Sequence, residues 1–181
     1  MGNEINLMKN YPKSKRDIKS RGNSKTQIDR KIAREFGKEF FDGNRSQGYG
    51  GFNYDPKYWK EVIPDFQKHF NLSSKDSILD VGCAKGFMIF DFERLIPGIS
   101  VRGVDISNYA IENAKSEVRE KCSVANAMKL PFADNSFDIV ISITTLHNLE
   151  IEDLKVSLNE IQRVSKRGSF ITLDAYRNEE E

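Results

Sequence analysis

A glycine-bracketed loop near the middle of the chain constrains its fold more than any other feature. An apolar run that begins at Ile78 ends in the acid Asp80. Glycines follow at Gly82 and Gly86, and a second apolar segment begins at Phe87. Glycine allows backbone angles and a close approach of the main chain that other residues exclude. The pattern predicts a strand, a tight loop and a helix whose N-terminus faces a ligand.

Strand-like and helix-like segments alternate from residue 76 onward. Alternation with short loops predicts an α/β fold, in which a parallel sheet of about five strands has helices on both faces. We expect strands over residues 77–81, 100–105, 121–124, 137–143 and 168–174, and helices over residues 86–96, 107–119 and 151–165.

Two segments of different composition precede this alternating region. Residues 1–27 are polar and basic, and we expect them to form a disordered or loosely attached arm. Residues 28–75 combine helical patterns over residues 28–41 and 56–71 with a Gly- and aromatic-rich stretch from Gly48 to Tyr54, and we expect them to cap the domain of residues 76–181. Residues 1–40 carry 11 Lys and Arg against 5 Asp and Glu, whereas the rest of the chain carries 17 against 22. The near-neutral total therefore hides a basic N-terminal region.

Composition argues against several classes of protein. No apolar run reaches the ~18 residues of a membrane span, and the N-terminus lacks the apolar core of a secretory signal. Cys83 and Cys122 lie far apart and form no Cys-x-x-Cys pair, and two histidines are too few for a zinc cluster. We therefore expect a reduced, cytoplasmic protein without a membrane partner or a metal site.

The spacing of the glycines limits what the loop can bind. It is not Gly-x-Gly-x-x-Gly, and no Lys-Ser/Thr pair follows as in a P-loop, so a pyrophosphate cradle is not favoured. Asp80 would repel a phosphate and suits a cationic amino group. We expect Lys85, inside the loop, to be a solvated surface residue.

A second acid, Asp105, ends the next predicted strand about 20 residues further on, where an acid accepts both ribose hydroxyls of a nucleoside. Ser107 is a suitable N-cap for the helix that follows, which leaves Asp105 for a ligand. Beyond the third strand, Asn126 or Ala127 would place a polar group at an adenine edge and Met128 an apolar side chain on its face. Together these residues predict a pocket for a nucleoside-bearing cofactor.

Five motifs, in order over residues 76–174, resemble those of class I S-adenosylmethionine-dependent methyltransferases. They are Asp80-Val-Gly-Cys-Ala-Lys-Gly86, Gly103-Val-Asp-Ile-Ser107, Asn126-Ala with Leu130-Pro-Phe132, Ser136-Phe-Asp-Ile-Val140 and Leu146-His-Asn-Leu149. The resemblance implies a Rossmann-like sheet and S-adenosylmethionine as cofactor. It places Asp80 and Gly82 at the methionine part, Asp105 at the ribose, Ile106 beside the adenine, Ala127 and Met128 at the base, and Ser142 near the sulfonium. Cys83, Gly86, Phe87 and Asn126 complete the expected cofactor-binding set.

The chain departs from the family after the fifth strand. Such enzymes usually add a sixth and a seventh strand, whereas seven residues follow Asp174 here. The fifth strand would then be an apolar sheet edge with unpaired backbone groups. The chain is a fragment, or a second copy forms a homodimer through that edge, or the N-terminal segment covers it. A stable monomer in size-exclusion chromatography with light scattering would exclude the homodimer.

The acceptor side of the site leaves several alternatives open. His147, after the fourth strand, is either a general base or a helix-end histidine bonded to the backbone. Tyr49 and Tyr54 form either a lid hinged on the neighbouring glycines or an ordinary aromatic loop. Asp174 and Tyr176, at the end of the fifth strand, are weaker acceptor-side alternatives.

These observations predict a methyltransferase that acts on a small-molecule acceptor by in-line methyl transfer. An RNA or protein methyltransferase whose basic arm tracks phosphates is the alternative, so nucleic acid is a less favoured partner. A module that binds the cofactor without turnover is a further alternative. The glycine spacing disfavours an NAD-linked oxidoreductase.

Overall fold

A computed structural model describes residues 3–13 and 25–173 of the chain. Its centre is a five-stranded parallel sheet in the order β3-β2-β1-β4-β5. The strands are β1 (Ser77–Val81), β2 (Ser100–Asp105), β3 (Cys122–Val124), β4 (Phe137–Ile143) and β5 (Ser165–Thr172). The helices are α1 (Gln27–Ala33), α2 (Lys38–Asp42), α3 (Ile63–Phe70), α4 (Phe87–Leu95), α5 (Asn108–Glu112) and α6 (Ile151–Val164), with short 3₁₀ turns at Arg119–Lys121 and Leu146–Asn148.

The order of the strands reverses beside β1. From β1 the chain moves outward to β2 and β3, and it then returns to β4 on the other side of β1. In open α/β sheets, such a reversal opens a crevice at the carboxyl ends of the strands, where ligands bind. The register sets Asp80 between Gly103 of β2 and Ile141 of β4, so the end of β1 faces this crevice.

Both faces of the sheet are buried, as the parallel arrangement requires. Successive residues of a strand point to opposite faces. In β1, Ile78 joins one apolar cluster with Phe66 and Phe92, whereas Leu79 joins a second cluster with Ile161. Helices α3 and α4 thus contribute to one layer and α6 to the other, which confirms the predicted parallel sheet between two helical layers.

Three predicted strands coincide with β1, β2 and β4, whereas other boundaries differ. Strand β5 starts at Ser165, directly after α6, three residues earlier than predicted. The helix predicted over residues 107–119 ends at Glu112. After this point the Lys115 N–H donates to the Lys85 carbonyl at 2.9 Å, so packing against the glycine loop replaces the helical hydrogen bonds.

The N-terminal helical patterns are also interrupted. The segment predicted as one helix over residues 28–41 forms α1 and α2, because Phe36 between them has a φ of +48°. Within the pattern of residues 56–71, turns precede α3, which begins at Ile63 with a proline in its first turn.

Residues 3–13 lie against the domain, which differs from the predicted loosely attached arm. Leu7 is 4% exposed and belongs to the same apolar cluster as Phe66. Lys9 and Asn10 contact the Asp65 carboxylate at 3.0 and 2.8 Å. The burial of one apolar side chain and these polar contacts hold a stretch whose composition alone indicated disorder; the rest of the predicted arm up to residue 24 lies outside the described residues.

In the part of the chain that the structure describes, none of the helices has the length and apolar character needed to cross a bilayer.

Candidate functional site

A pocket of about 170 Å³ opens at the carboxyl ends of the central strands. One wall comes from the loop after β1, from the end of β2 and from the segment after β3. Residues after β4 form a second side, and aromatic residues of the N-terminal segment form the third. The pocket residues discussed below are Gly82, Ala84, Asp105, Ile106, Asn126, Ala127, Thr145, Phe36, Phe40, Phe41 and Tyr49.

The loop after β1 bends over the end of β2. Gly82 and Cys83 donate their backbone N–H groups to the Val104 carbonyl at 2.7 and 3.0 Å. Gly82 has a φ of +87°, and a Cβ on it would lie 2.1 Å from Thr145 Oγ1. Gly86, with a φ of +74°, directly precedes α4 and lies outside the pocket lining. A Cβ on Gly86 would lie 3.1 Å from Cys122 Sγ. The first glycine therefore keeps the pocket open, and the second permits the turn into the helix.

Asp105 lines the pocket and also holds the glycine loop in place. Its Oδ2 accepts the Ala84 N–H at 2.8 Å, and its Oδ1 accepts the Ser107 N–H at 2.9 Å. Burial raises the pKa of the Asp105 carboxyl, although these backbone hydrogen bonds oppose the shift. Ser107 caps α5 by accepting from Ala110 N at 3.0 Å, as predicted. The carboxylate thus orders the loop, and it retains lone pairs that can accept hydrogen bonds from a ligand.

Six predicted cofactor residues lie outside the pocket lining, namely Asp80, Cys83, Gly86, Phe87, Met128 and Ser142. Asp80 is 4% exposed, and burial together with the nearby Cys122 and Asp105 raises its pKa well above the usual range. Ser142 is fully buried and donates its hydroxyl to the Val81 carbonyl at 2.9 Å. Neither side chain is among the residues that line the pocket.

The two cysteines meet beneath the glycine loop. Cys83 Sγ lies 2.7 Å from where a Cβ on Gly103 would stand, and Gly103 pairs in register with Cys122. A hydrogen bond between the thiols and burial raise the pKa of Cys83, and the same hydrogen bond lowers that of Cys122. The absence of a side chain at Gly103 makes room for the Cys83 sulfur, and its absence at Gly86 makes room for the Cys122 sulfur, which would lie 3.1 Å from a Cβ there.

Lys85 is buried, so its predicted exposure to solvent is wrong. Its side chain is 8% exposed, and its ammonium lies 2.7 Å from both oxygens of Asp42. The ammonium also donates to the Phe52 carbonyl at 3.0 Å. A buried ammonium is tolerated only when it is paired in this way.

The two tyrosines of the Gly-rich segment, Tyr49 and Tyr54, contact different parts of the protein. Tyr49 lines the pocket and stacks on Phe52 with ring centroids 4.2 Å apart. Tyr54 instead contacts Phe87 and donates its hydroxyl to Asp91 of α4 at 2.8 Å. Tyr49 therefore belongs to the pocket, whereas Tyr54 anchors the segment to α4.

The remaining predicted residues lie around the edge of the site. Asn126 and Ala127 line the pocket, and Asn126 Oδ1 accepts the N–H of Met128, which is outside the lining. His147 is exposed on the 3₁₀ turn that supplies Leu146 and Asn148 to the lining. The acceptor-side residues Asp174 and Tyr176 lie outside the described residues.

Sequence reasoning missed several residues that line or support the pocket. Phe36 and Phe40 were predictable as a helical stripe, but their position beside the glycine loop depends on the fold. Thr145 follows β4 without any motif, and Asp42 is 43 positions from Lys85 in the sequence. The spacing of Phe36 and Phe40 next to a Gly-rich segment was the one available signal.

The Tyr54–Asp91 contact predicts a measurable dependence of stability on pH. Burial and this hydrogen bond raise the pKa of Tyr54 to about 12 from a usual value of 10.0, so folding favours the neutral phenol. We expect the contribution of Tyr54 to the free energy of unfolding to be complete below pH 10 and lost as the pH rises through about 12. Urea unfolding of the wild type and Tyr54→Phe tests this. The variant will be less stable by about 1–3 kcal/mol at neutral pH, and the gap will close at high pH. A gap that stays constant would contradict the assignment.

The fold and the pocket define an α/β protein with a nucleoside-type site at the switch point of its sheet. The acid at the end of β2, the loop that a Cβ on Gly82 would obstruct and the apolar walls fit an adenosyl group with its ribose diol. Asp105, Ile106, Asn126, Ala127 and Gly82 line the pocket and could hold such a group.

Known proteins share this architecture. A sequence profile of the family described as "Methyltransferase domain" matches residues 79–173. A demethylmenaquinone methyltransferase of Symbiobacterium thermophilum is 31% identical over 152 residues, which are 78% of this chain and 59% of that protein. A tRNA (carboxymethyluridine(34)-5-O)-methyltransferase of Arabidopsis thaliana is 34% identical over 112 residues, 61% of this chain and 26% of that protein. The crystal structure of MccD protein aligns with a TM-score of 0.56 and 30% identity, covering 70% of this chain and 57% of that one.

The chain belongs to the class I S-adenosylmethionine-dependent methyltransferase family. It spans 59% of the length of the Symbiobacterium relative and 26% of that of the Arabidopsis relative.

Proposed function

We propose that the protein binds S-adenosylmethionine and transfers its methyl group to a small, largely apolar acceptor. The observation that carries this proposal is the pocket lining. Asp105 is the one formally charged side chain among the described lining residues, and Phe36, Phe40 and Tyr49 face it from the N-terminal segment. An acid for a ribose and apolar walls for a base and an acceptor suit this pair of ligands.

Different parts of the pocket have different roles in this reaction. S-adenosylmethionine, when bound, supplies an electrophilic methyl group. Asp105 accepts hydrogen bonds from a ribose, and Gly82 lets a ligand approach the backbone. Phe36, Phe40, Phe41 and Tyr49 form an aromatic wall that excludes water and aligns the acceptor. Such alignment accounts for much of the rate gain of a displacement reaction.

We also propose His147 and Tyr49 as acceptor-side groups. His147 would act as a general base and take a proton from an acidic acceptor. Tyr49 would orient the acceptor through its ring or hydroxyl. Unchanged turnover in His147→Asn would remove the imidazole from the mechanism, and unchanged turnover in Tyr49→Phe would remove the Tyr49 hydroxyl.

Calorimetric titration tests the choice of cofactor. We expect S-adenosylmethionine and S-adenosylhomocysteine to bind with one site per chain, and NAD to give no heat of binding, because the loop lacks a pyrophosphate cradle. Binding of NAD without binding of S-adenosylmethionine would overturn the proposal.

An RNA substrate is the second candidate. The basic surplus of residues 1–40 favours it, and one relative is named as a tRNA methyltransferase. Contacts between basic side chains and phosphates make affinity fall steeply as salt rises. Titration of tRNA at two salt concentrations, with methyl incorporation as a second readout, distinguishes this candidate from the first. Absence of binding at low salt would exclude it.

A further inference from the structure

Lys85 and Asp42 form a buried ion pair with unusually complete hydrogen bonding. The Lys85 ammonium lies 2.7 Å from each Asp42 oxygen and 3.0 Å from the Phe52 carbonyl. Tyr109 donates its hydroxyl to Asp42 Oδ2 at 2.7 Å, and the Phe52 N–H donates to Asp42 Oδ1 at 3.2 Å. The two side chains are 8% and 25% exposed. Such a pair is strongly coupled, because loss of one partner leaves the other charge without compensation.

The pair joins two opposite walls of the pocket. Lys85 belongs to the glycine loop, directly after the lining residue Ala84. Asp42 ends α2, directly after the lining residue Phe41. Phe52, whose backbone contacts both members of the pair, stacks on the ring of Tyr49. A single ion pair therefore connects the loop beneath the pocket to the aromatic wall above it.

The Asp42 carboxyl is charged at neutral pH. Burial raises the pKa of Asp42, but hydrogen bonds from Lys85 and Tyr109 outweigh this effect and leave the pKa below its usual value. The other carboxylate of the site, Asp105, is engaged with the backbone N–H groups of Ala84 and Ser107. Among the described residues, Lys85 thus has one acidic partner, and that partner comes from the aromatic wall.

We propose that Lys85 and Asp42 are positioning residues that clasp the aromatic wall onto the cofactor loop and thereby set how long a bound adenosyl ligand is retained. The pair itself does not line the pocket. It acts through Ala84 on one side and through Phe41 and Tyr49 on the other. The identity of the ligand rests on the proposed function, whereas the clasp can be tested without any ligand.

Limited trypsin digestion of the ligand-free full chain tests the clasp directly. Cleavage after Arg34, Lys38 and Arg45 reports opening of the aromatic wall, since proteolysis requires local unfolding. We expect Asp42→Asn to speed cleavage at these sites by about tenfold or more, given the cost of an uncompensated buried charge. Tyr109→Phe removes one hydrogen bond and will give a smaller increase. It keeps the test usable where Asp42→Asn folds poorly.

Lys121→Met is the matched control. Lys121 pairs with Glu93 of α4, and neither residue lines the pocket. We expect this variant to leave cleavage after Arg34, Lys38 and Arg45 unchanged. Equal cleavage at these sites in wild type and Asp42→Asn, or an equal increase in Lys121→Met, would overturn the proposal.

Dissociation of S-adenosylhomocysteine separates a positioning role from a merely structural one. We expect Lys85→Met and Asp42→Asn to release the ligand about tenfold faster than wild type. The double variant removes both charges, so its thermal midpoint will recover while its release stays fast. Recovery of slow release in the double variant would overturn the clasp. If the wild type binds no S-adenosylhomocysteine, the proposed function fails, and the protease result still decides the clasp.

Discussion

Asp105→Ala will weaken binding of S-adenosylmethionine roughly 100-fold. The carboxylate accepts the N–H groups of Ala84 and Ser107 at 2.8 and 2.9 Å, and it faces the pocket. Hydrogen bonds to charged groups contribute about 1.5–3 kcal/mol each, and every 1.4 kcal/mol of binding free energy is about tenfold in affinity. The substitution removes the expected ribose contact and also the acceptors that order the glycine loop. Isothermal titration with S-adenosylmethionine measures the loss.

Asp138→Ala is the control for this result. Asp138 Oδ2 accepts the N–H and the hydroxyl of Ser77 at 2.8 and 2.7 Å, at the opposite, amino-terminal edge of the sheet. The two acids make comparable contacts, but only Asp105 lies at the pocket. We expect Asp138→Ala to lower the free energy of unfolding without changing affinity for the ligand. Similar losses of affinity in both variants would show that Asp105 acts through stability alone.

Gly82→Ala will destabilise the protein and close part of the pocket. A positive φ costs a residue with a Cβ about 1–2 kcal/mol, and overpacking adds about 1–3 kcal/mol. The new methyl would lie 2.1 Å from Thr145 Oγ1 and 2.3 Å from its Cγ2. We therefore expect a loss of about 2–5 kcal/mol in the free energy of unfolding, measured by urea denaturation.

Gly51→Ala separates the two parts of this effect. Gly51 has a φ of +79°, close to the +87° of Gly82, but a Cβ there would meet nothing within 4 Å. It will lose only the conformational share, about 1–2 kcal/mol. Adding Thr145→Gly to Gly82→Ala removes the obstructing side chain and will recover part of the stability. Equal losses in the two alanine variants would show that the contact with Thr145 is relieved at little cost.

The sheet was predictable from the sequence because its signals are local. Consecutive apolar residues such as Ile78 and Leu79 are needed when each face of a strand is buried, and this pattern located β1 and β4. The end of α5 was not predictable in this way. Residues 113–119 have a helical pattern, but the Lys115 N–H donates to Lys85 of the glycine loop, a contact that only the fold creates.

The site residues that could be predicted from the sequence lie in motifs at the carboxyl ends of parallel strands. Gly82 and Asn126 follow β1 and β3, and Asp105 ends β2; the carboxyl ends of these strands meet at one edge of the sheet. The roles of Lys85 and Tyr54 depend on partners distant in sequence, Asp42 and Asp91. An acid such as Asp91, fully buried in a largely apolar helix, is a signal that a polar partner comes from elsewhere.

The meeting of the two thiols under the glycine loop gives the protein a native chemical reporter. Cys83 and Cys122 are the chain's two cysteines, and they are 5% and 8% exposed. A thiol reagent reaches either sulfur only when the loop or the start of β3 opens, so the labelling rate measures local opening free energy without an engineered probe. Because Cys83 lies between the lining residues Gly82 and Ala84, a ligand that holds the loop closed will slow this labelling. The labelling rate therefore reports whether the pocket is occupied.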